Sequence, residues 1–165
     1  MIAGPAGVGK TSTAFEVSDQ LQRAGVAHAV IDTDELDHIY PPPADQRELT
    51  ERNLAAVSES FLDSGAERLI VAGVHLNRRE EQPWVRRATR GDRFTLIQLT
   101  ASDAALAARL RHREIGSGFD AQLARTRRQI TEPATHLSPE TRLFETERTS
   151  LEETATRIIA VAGWA

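Results

Sequence analysis

The chain has 165 residues, 40% of them hydrophobic and 27% charged, with a formal charge of −4. That balance is one globular domain with a sizeable core and excludes collagen-like and disordered chains; the net negative field repels nucleic acid and anionic membranes. The absence of cysteine removes disulfides, zinc-thiolate sites and thiol catalysis, no apolar run reaches the roughly 18 residues of a spanning helix, and the first residues lack the basic and apolar regions of a secretory leader. The expectation is a cytoplasmic protein with no nucleic-acid or membrane partner, a monomer or homodimer.

The chain begins with a stub of strand, Met1 to Ala3, and a glycine-rich turn leads into a helix from about Gly9 to Ala24. Val17 and Leu21 share a face of that helix, and Gly25 stops it. A second strand, Ala27 to Ile31, ends at Asp32-Thr33-Asp34. Pro41-Pro42-Pro43 forbids helix and marks a loop. Beyond it Leu49, Leu54, Val57, Phe61 and Leu62 fit an amphipathic helix ending at Gly65. A buried strand follows from Arg68 to Val74, then a short Arg-rich helix with Pro83 in its first turn, and a strand from Phe94 to Thr100. Ser102 is placed to cap a helix reaching Arg113, Gly116-Ser117-Gly118 interrupts, and a further helix runs through Arg125 to Pro133. A weak strand, Arg142 to Glu145, precedes a last helix that opens on Ser150-Leu-Glu-Glu153, a capping-box pattern. Strands alternating with helices predict an α/β fold: a five-stranded parallel sheet covered on both faces, in three layers, as one domain over 1–165.

Of the 20 basic residues only one, Lys10, is lysine, and it stands inside Gly4-Pro-Ala-Gly-Val-Gly9-Lys10-Thr11. This octet matches G-x-x-x-x-G-K-[ST] at every fixed position and lies between a strand and a helix, as its mechanism requires. Backbone N–H groups of Gly4, Ala6, Gly7, Val8, Gly9, Lys10, Thr11 and Ser12 can turn toward phosphate oxygens, and the helix N-terminus adds partial positive charge there. Lys10 then neutralises the β/γ-phosphates of ATP, and Thr11 takes a Mg²⁺ position. The strand before such a loop has about five residues, yet three precede Gly4: either the start lies upstream or the sheet centre is weak.

Two more patterns join the loop: Ile31-Asp32-Thr33-Asp34 with Leu36 and His38, and Arg109-Leu-Arg-His-Arg113 followed by the glycines. Together the three resemble the phosphate-loop small-molecule kinases, the group of gluconate, adenylylsulfate, shikimate and nucleoside monophosphate kinases. The resemblance implies an ATP- and Mg²⁺-dependent phosphotransferase acting on a hydroxyl or phosphate of a small metabolite, with a small lid at about 109–120. By it Asp32 is assigned to the metal and Asp34 to the acceptor, the latter as candidate general base. Both stand at the carboxyl end of a strand, where ligands bind in open α/β sheets. Arg109 and Arg113, four apart on one helix face, are candidates to close over the transferred phosphoryl group. Arg47, Arg52 and Arg79 resemble the arginines that grip an anionic acceptor in adenylylsulfate kinases.

The chain departs from other phosphate-loop classes. Val71-Ala-Gly-Val-His75 carries no Walker-B aspartate, which throws metal binding onto Thr11 and Asp32, and no N-K-x-D or D-x-x-G motif of regulatory GTPases is present. The five histidines show no metal spacing, and His38 and His75 border the site while the others read as surface. Trp84 and Trp164 read as packing residues. Two rivals share the loop: an antibiotic-modifying phosphotransferase of the chloramphenicol type, and a non-catalytic ATP sensor with a vestigial acceptor site. A plain NTP hydrolase would instead release phosphate without an acceptor.

Overall fold

The computed structural model describes residues 1–113, 124, 126–127 and 134–164. The interrupting glycines, Gly116 and Gly118, most of the expected lid, and most of the helix expected through Arg125 lie outside them. Within the described residues the chain forms β1 (Ile2–Ala3), α1 (Lys10–Arg23), β2 (His28–Asp32), a 3-10 turn (Thr33–Glu35), α2 (Gln46–Asp63) and β3 (Arg68–Gly73). There follow α3 (Gln82–Thr89), β4 (Ile97–Thr100), α4 (Asp103–Arg113), a second 3-10 turn (Ala134–His136), β5 (Arg142–Glu145) and α5 (Leu151–Ala162).

All strand pairs are parallel and the order is β2-β3-β1-β4-β5. β1 is central although it is the shortest strand: Ile2 pairs with Ala72 on one side and Ile97 on the other, and Ala3 with Gly73 and Gln98. The chain leaves β1 toward β2 and crosses back to β4, so the order reverses beside β1. That reversal opens a crevice at the carboxyl ends of the strands, where such sheets bind ligands.

The core has two leaves. On one face Ile2, Ile70, Ile97 and Leu99 pack against Val17 and Leu21 of α1, Leu106 of α4 and Ile158 and Ile159 of α5. On the other, Ala3, Ile31 and Val71 meet Leu54 of α2 and Trp84, Val85 and Ala88 of α3. Successive strand residues face opposite ways, so Ile2 and Ala3 serve different leaves. Both tryptophans pack as expected: Trp84 is buried in the second leaf, its Nε1–H donating to Glu81, and Trp164 leans on the first.

Local chemistry sets the boundaries. Asp45 Oδ1 accepts from Glu48 N–H at 3.0 Å and Ser150 Oγ from Glu153 N–H at 3.1 Å, each capping a helix N-terminus. Ser102 does the same for α4, accepting from Ala105 N–H at 3.2 Å. β4 begins three residues later than its apolar run, because the pairing with β1 starts at Ile2 opposite Ile97; before that, Met1 meets this edge through its amino nitrogen, which donates to Thr95 O at 2.9 Å. His28 departs from the surface expectation: its Nδ1–H donates to Val26 O at 2.7 Å, leaving Nε2 to accept from the Ser18 hydroxyl at 2.7 Å. It thereby pins the start of β2 to α1.

Candidate active site

The loop from Gly4 to Thr11 joins the end of β1 to α1 around backbone that only glycine allows. Gly4 has φ 149°, and a Cβ there would stand 2.7 Å from Leu99 O of β4, so a side chain would push the loop off the sheet. Gly9, at φ 103°, is the N-cap of α1 and offers no capping side chain. The first N–H groups of a helix have no partner within it, so this end of α1 faces the crevice as an anion-binding terminus. Lys10 is 6% exposed.

β2 delivers the facing groups. Asp32 is its last residue, and its two oxygens are divided: Oδ2 accepts from Thr11 Oγ1 at 2.7 Å, Oδ1 from Asp34 N–H at 3.1 Å. Between the aspartates, buried Thr33 donates from Oγ1 to Ala72 O at 3.1 Å, which locks the turn onto β3. That approach depends on Gly73, where a Cβ would fall 2.1 Å from the Thr33 hydroxyl. The turn therefore holds Asp34 Oδ2 at 3.9 Å from Lys10 Nζ. Burial pushes the Asp34 carboxyl above its ordinary value; Lys10 opposes the shift, while Asp32, Asp37 and Glu35 add like-charge repulsion that supports it. Half of the side chain still faces solvent, so the group remains reachable from the crevice.

Asp37, which the motif pattern passes over, anchors the neighbouring helix: its Oδ2 accepts from Gln46 Nε2 at 3.1 Å and Thr50 Oγ1 at 3.2 Å. Asn53 adds a bond from Nδ2 to Leu36 O at 2.6 Å. An acidic residue three positions after Asp34 at the same strand end was the available signal.

The arginines divide. Arg109 is partly buried and works on the protein: Nη1 donates to Val8 O at 3.2 Å and Thr146 Oγ1 at 3.0 Å, and Nη2 donates to Thr146 O at 2.9 Å. Its guanidinium thus ties the phosphate loop to the residue just after β5, where the sequence reading has it closing over phosphate. Thr146 was missed; its N–H donates to Thr100 O at 3.0 Å and its Oγ1 lies 3.2 Å from the same carbonyl, so one residue joins β4, β5 and the loop. Its place directly after a strand's carboxyl end was the clue. Arg113 closes α4, and its side chain lies outside the described residues.

On α2, Arg47 precedes Leu54 by seven residues and shares its side of the helix two turns earlier, whereas Arg52 precedes Leu54 by two, about 200° around the helix. Both are exposed; Arg47 lies on the side of α2 that Leu54 turns inward, and Arg52 on roughly the opposite side. Arg79, after β3, is exposed and donates from Nε to Leu137 O at 3.0 Å. Asn77 beside it is fully buried and donates to Ile97 O at 2.6 Å, which makes it a brace of the sheet.

Thr11 Oγ1 and the Asp32 carboxylate are hard oxygen donors side by side at the loop, which fits Mg²⁺. That ion takes one or two protein oxygens and completes its shell with water and substrate phosphates. Among the described residues no group of three or more His, Cys, Asp or Glu could hold a metal by themselves.

A family profile described as AAA domain matches residues 1–124. No curated protein matches the chain by sequence. Among solved structures, a gluconokinase from Sinorhizobium meliloti superposes with a TM-score of 0.61 at 20% identity, over 98% of this chain and 89% of that one. The APS kinase of Mycobacterium tuberculosis in complex with AMPPNP and APS gives 0.63 at 20%, over 98% and 95%. The tunicamycin resistance protein of Deinococcus radiodurans gives 0.63 at 20%, over 99% and 94%. The strand order, the loop and these superpositions agree: the chain belongs to the AAA-domain family and has the three-layer fold of the phosphate-loop small-molecule kinases.

Proposed function

We propose that the protein is an ATP- and Mg²⁺-dependent kinase that transfers the γ-phosphoryl group to a hydroxyl or phosphate of a small anionic or polyhydroxylated metabolite. The observation that carries this reading is the approach of Asp34 Oδ2 to Lys10 Nζ at 3.9 Å. A lysine that meets the transferred phosphate and a carboxylate that meets the acceptor have to stand within one phosphoryl group of each other. A hydrolase or a sensor needs no such carboxylate.

Phosphoryl transfer passes through a loose transition state and depends chiefly on positioning and charge. In this reading the loop N–H groups and Lys10 bind the phosphates, and Asp34 orients the acceptor hydroxyl and takes its proton. The upward push on the Asp34 carboxyl makes it a better base than a solvated aspartate. Thr11 and Asp32 would hold Mg²⁺, which neutralises charge shared between the β- and γ-phosphates when bound. Arg47 at the head of α2 is a candidate to meet an anionic group on the acceptor, and Arg79 after β3 is a second. Arg113 remains the candidate to meet the phosphoryl group from the lid side.

A second reading, an antibiotic-modifying phosphotransferase, is favoured by one feature. Ile39 and Tyr40, 53% and 93% exposed, follow the turn that carries Asp34 and suit an acceptor with an apolar part. The fold shared with a tunicamycin resistance protein is consistent with it.

One assay tests both: ADP release with Mg-ATP across nucleoside monophosphates, sugar acids, adenylylsulfate, shikimate and aminocyclitol or phenylpropanoid antibiotics, with Lys10→Ala as the blank. A single acceptor that raises the rate well above the blank establishes the kinase and selects between the readings. Binding of ATP with no acceptor-dependent rate on any of them would favour the sensor.

A further inference from the structure

Lys10 and Asp34 take their positions from the same rung of the sheet. Ala72 and Gly73, the last residues of β3, pair with Ile2 and Ala3 of β1 on one side, and Ala72 pairs with Asp32 of β2 on the other. Ala3 is followed at once by Gly4, so the phosphate loop starts from this rung. β2 ends there too, and Asp34 stands two residues beyond it.

Past Asp32 the ladder gives no further hold. Asp34 N–H bonds to Asp32 Oδ1 and Leu36 N–H to Thr33 O, both within the turn, and Asn53 ties the end of the turn to α2. The bond that returns to the sheet is that of Thr33, 7% exposed, whose hydroxyl donates to Ala72 O at 3.1 Å. Without it a buried hydroxyl would be left unsatisfied, which holds the turn where the bond can form. Gly73 makes the room: a Cβ there would stand 2.1 Å from Thr33 Oγ1 and 3.1 Å from Leu76 Cγ and Cδ1. Its φ is not left-handed, so the position demands space rather than backbone freedom. β3 has no Walker-B aspartate, and this end of it serves the site through a carbonyl and a missing side chain.

We infer that Thr33 is a positioning residue for phosphoryl transfer: its bond to Ala72, in the space left by Gly73, sets Asp34 from the rung that also sets the phosphate loop and Lys10. The inference rests on the proposed kinase reading, in which Asp34 meets the acceptor and Lys10 the transferred phosphate. A misplacement of about 1 Å between such groups costs up to about 10²-fold in rate.

Because Lys10 is the one lysine of the chain, lysine labelled with ¹³C at Cε gives a single NMR signal beside Asp34, read at fixed pH with no acceptor present. Asp34→Asn marks where that signal lies without the carboxylate. Thr33→Val keeps the shape and removes the hydroxyl, while Gly73→Ala fills the space the hydroxyl needs. Both are expected to move the signal most of the way to that mark, and Thr33→Ser, which keeps the hydroxyl, leaves it at the wild-type position. In Mg-ATP assays on the acceptor of the ADP-release panel with the highest rate, the same two variants lower acceptor-dependent kcat by about 10–10²-fold, with KM for ATP within about twofold. Thr33→Ser recovers most of that rate. Thr33→Ala combined with Gly73→Ala is no slower than Gly73→Ala alone, since both changes break one bond.

The two variants act on the bond from opposite ends, so one that fails to fold leaves the other to decide. A Lys10 signal or a kcat that they leave at the wild-type value would overturn the inference with the kinase reading intact, and so would losses that multiply in the double variant. A lowered Tm at unchanged kcat overturns it as well and leaves Thr33 a brace of the fold. If Asp34→Asn itself does not move the signal, the approach of Lys10 to Asp34 is absent and both readings fall. A signal that moves as expected in a protein with no acceptor-dependent rate overturns the kinase reading, and the role in transfer with it.

Discussion

On the nucleotide side of the crevice the polar side chains hold one another. Thr11 is bonded to Asp32, Asp32 to the Asp34 backbone, and Arg109 to Val8 and Thr146. On the proposed acceptor side, Arg47 stands in solvent at the head of α2 and Asp34 is half exposed. The phosphate site is preorganised, so its charges meet the developing transition state with little rearrangement. An acceptor, by contrast, has to order exposed side chains as it binds, at an entropic cost of up to about 2 kcal/mol for each long one. In the proposed reaction, specificity is expected to reside on the looser side and rate on the tighter one.

The largest effect expected is that of Lys10→Ala, which removes a buried cation beside the loop. Loss of a preorganised charge partner lowers turnover by about 10²–10³-fold, and steady-state rates with saturating Mg-ATP would show it. A variant that retains a tenth of the rate would mean that the tight side is not where the barrier is lowered.

Asp34→Asn comes next and separates the two sides. Removing a general base lowers acceptor-dependent turnover by about 10²–10⁴-fold, while ATP affinity, measured by calorimetry, holds because Asp34 touches no loop atom except the Lys10 ammonium. The carboxyl titrates above the ordinary aspartate value of 3.8, so the acid limb of the wild-type pH–rate profile lies above that of a solvated aspartate. The limb is absent from the Asn variant. Stability follows the opposite sense: a carboxyl whose pKa rises on folding binds its proton more tightly in the native state. Its contribution is complete below about pH 3.8 and is lost as pH rises through the folded value. Denaturation midpoints of the Asn variant should show no such loss over that window; an unchanged slope would assign it to another group.

The tight side was the more legible in the sequence, for physical reasons. Gly4, Gly9, Lys10 and Thr11 answer a local demand for left-handed backbone, close approach and charge, so spacing alone exposes them. β5 and α5 were likewise readable, from a short apolar strand and the Ser150 cap. Thr146 and Asp37 were less so: each stands at a strand's carboxyl end, but its role comes from contacts across 46 and 13 residues of chain, which spacing does not record. The start of β4 was placed too early because an apolar run records burial, while a strand also needs a neighbour, and β1 begins only at Ile2, opposite Ile97. In an arginine-rich chain, spacing points Arg109 at the phosphates and says nothing of the three hydrogen bonds it makes to Val8 and Thr146.

Those bonds make Arg109 and Thr146 the joint between the tight side and the sheet, with a smaller expected effect. Charge-assisted hydrogen bonds contribute about 1.5–3 kcal/mol, so Arg109→Ala should lower the Tm by roughly 3–12 °C at 2–4 °C per kcal/mol and weaken ATP binding. Arg109→Lys cannot restore a three-bond fork, and Thr146→Val should reproduce part of both losses. A finger over the transferred phosphate behaves otherwise: Arg109→Ala would then cut kcat by about 10³-fold or more and leave the Tm in place. Paired melting curves and kcat against KM values distinguish a brace from a finger.

The smallest effects sharpen the loose side. Arg52 lies about 200° around α2 from Leu54, so Arg52→Ala is expected to change acceptor KM, kcat and stability by no more than the ±0.5 kcal/mol typical of surface substitutions, a factor of about two. Arg47→Ala, only five residues away on the same helix, turns the other face. If the acceptor is anionic, it loses a charged hydrogen bond, and its KM rises about tenfold with kcat held. The contrast tests helix geometry rather than charge, because both changes remove one arginine from the same helix. Equal effects from the two variants would mean that the acceptor senses the general field of α2, and the acceptor side would then have no defined anion contact there.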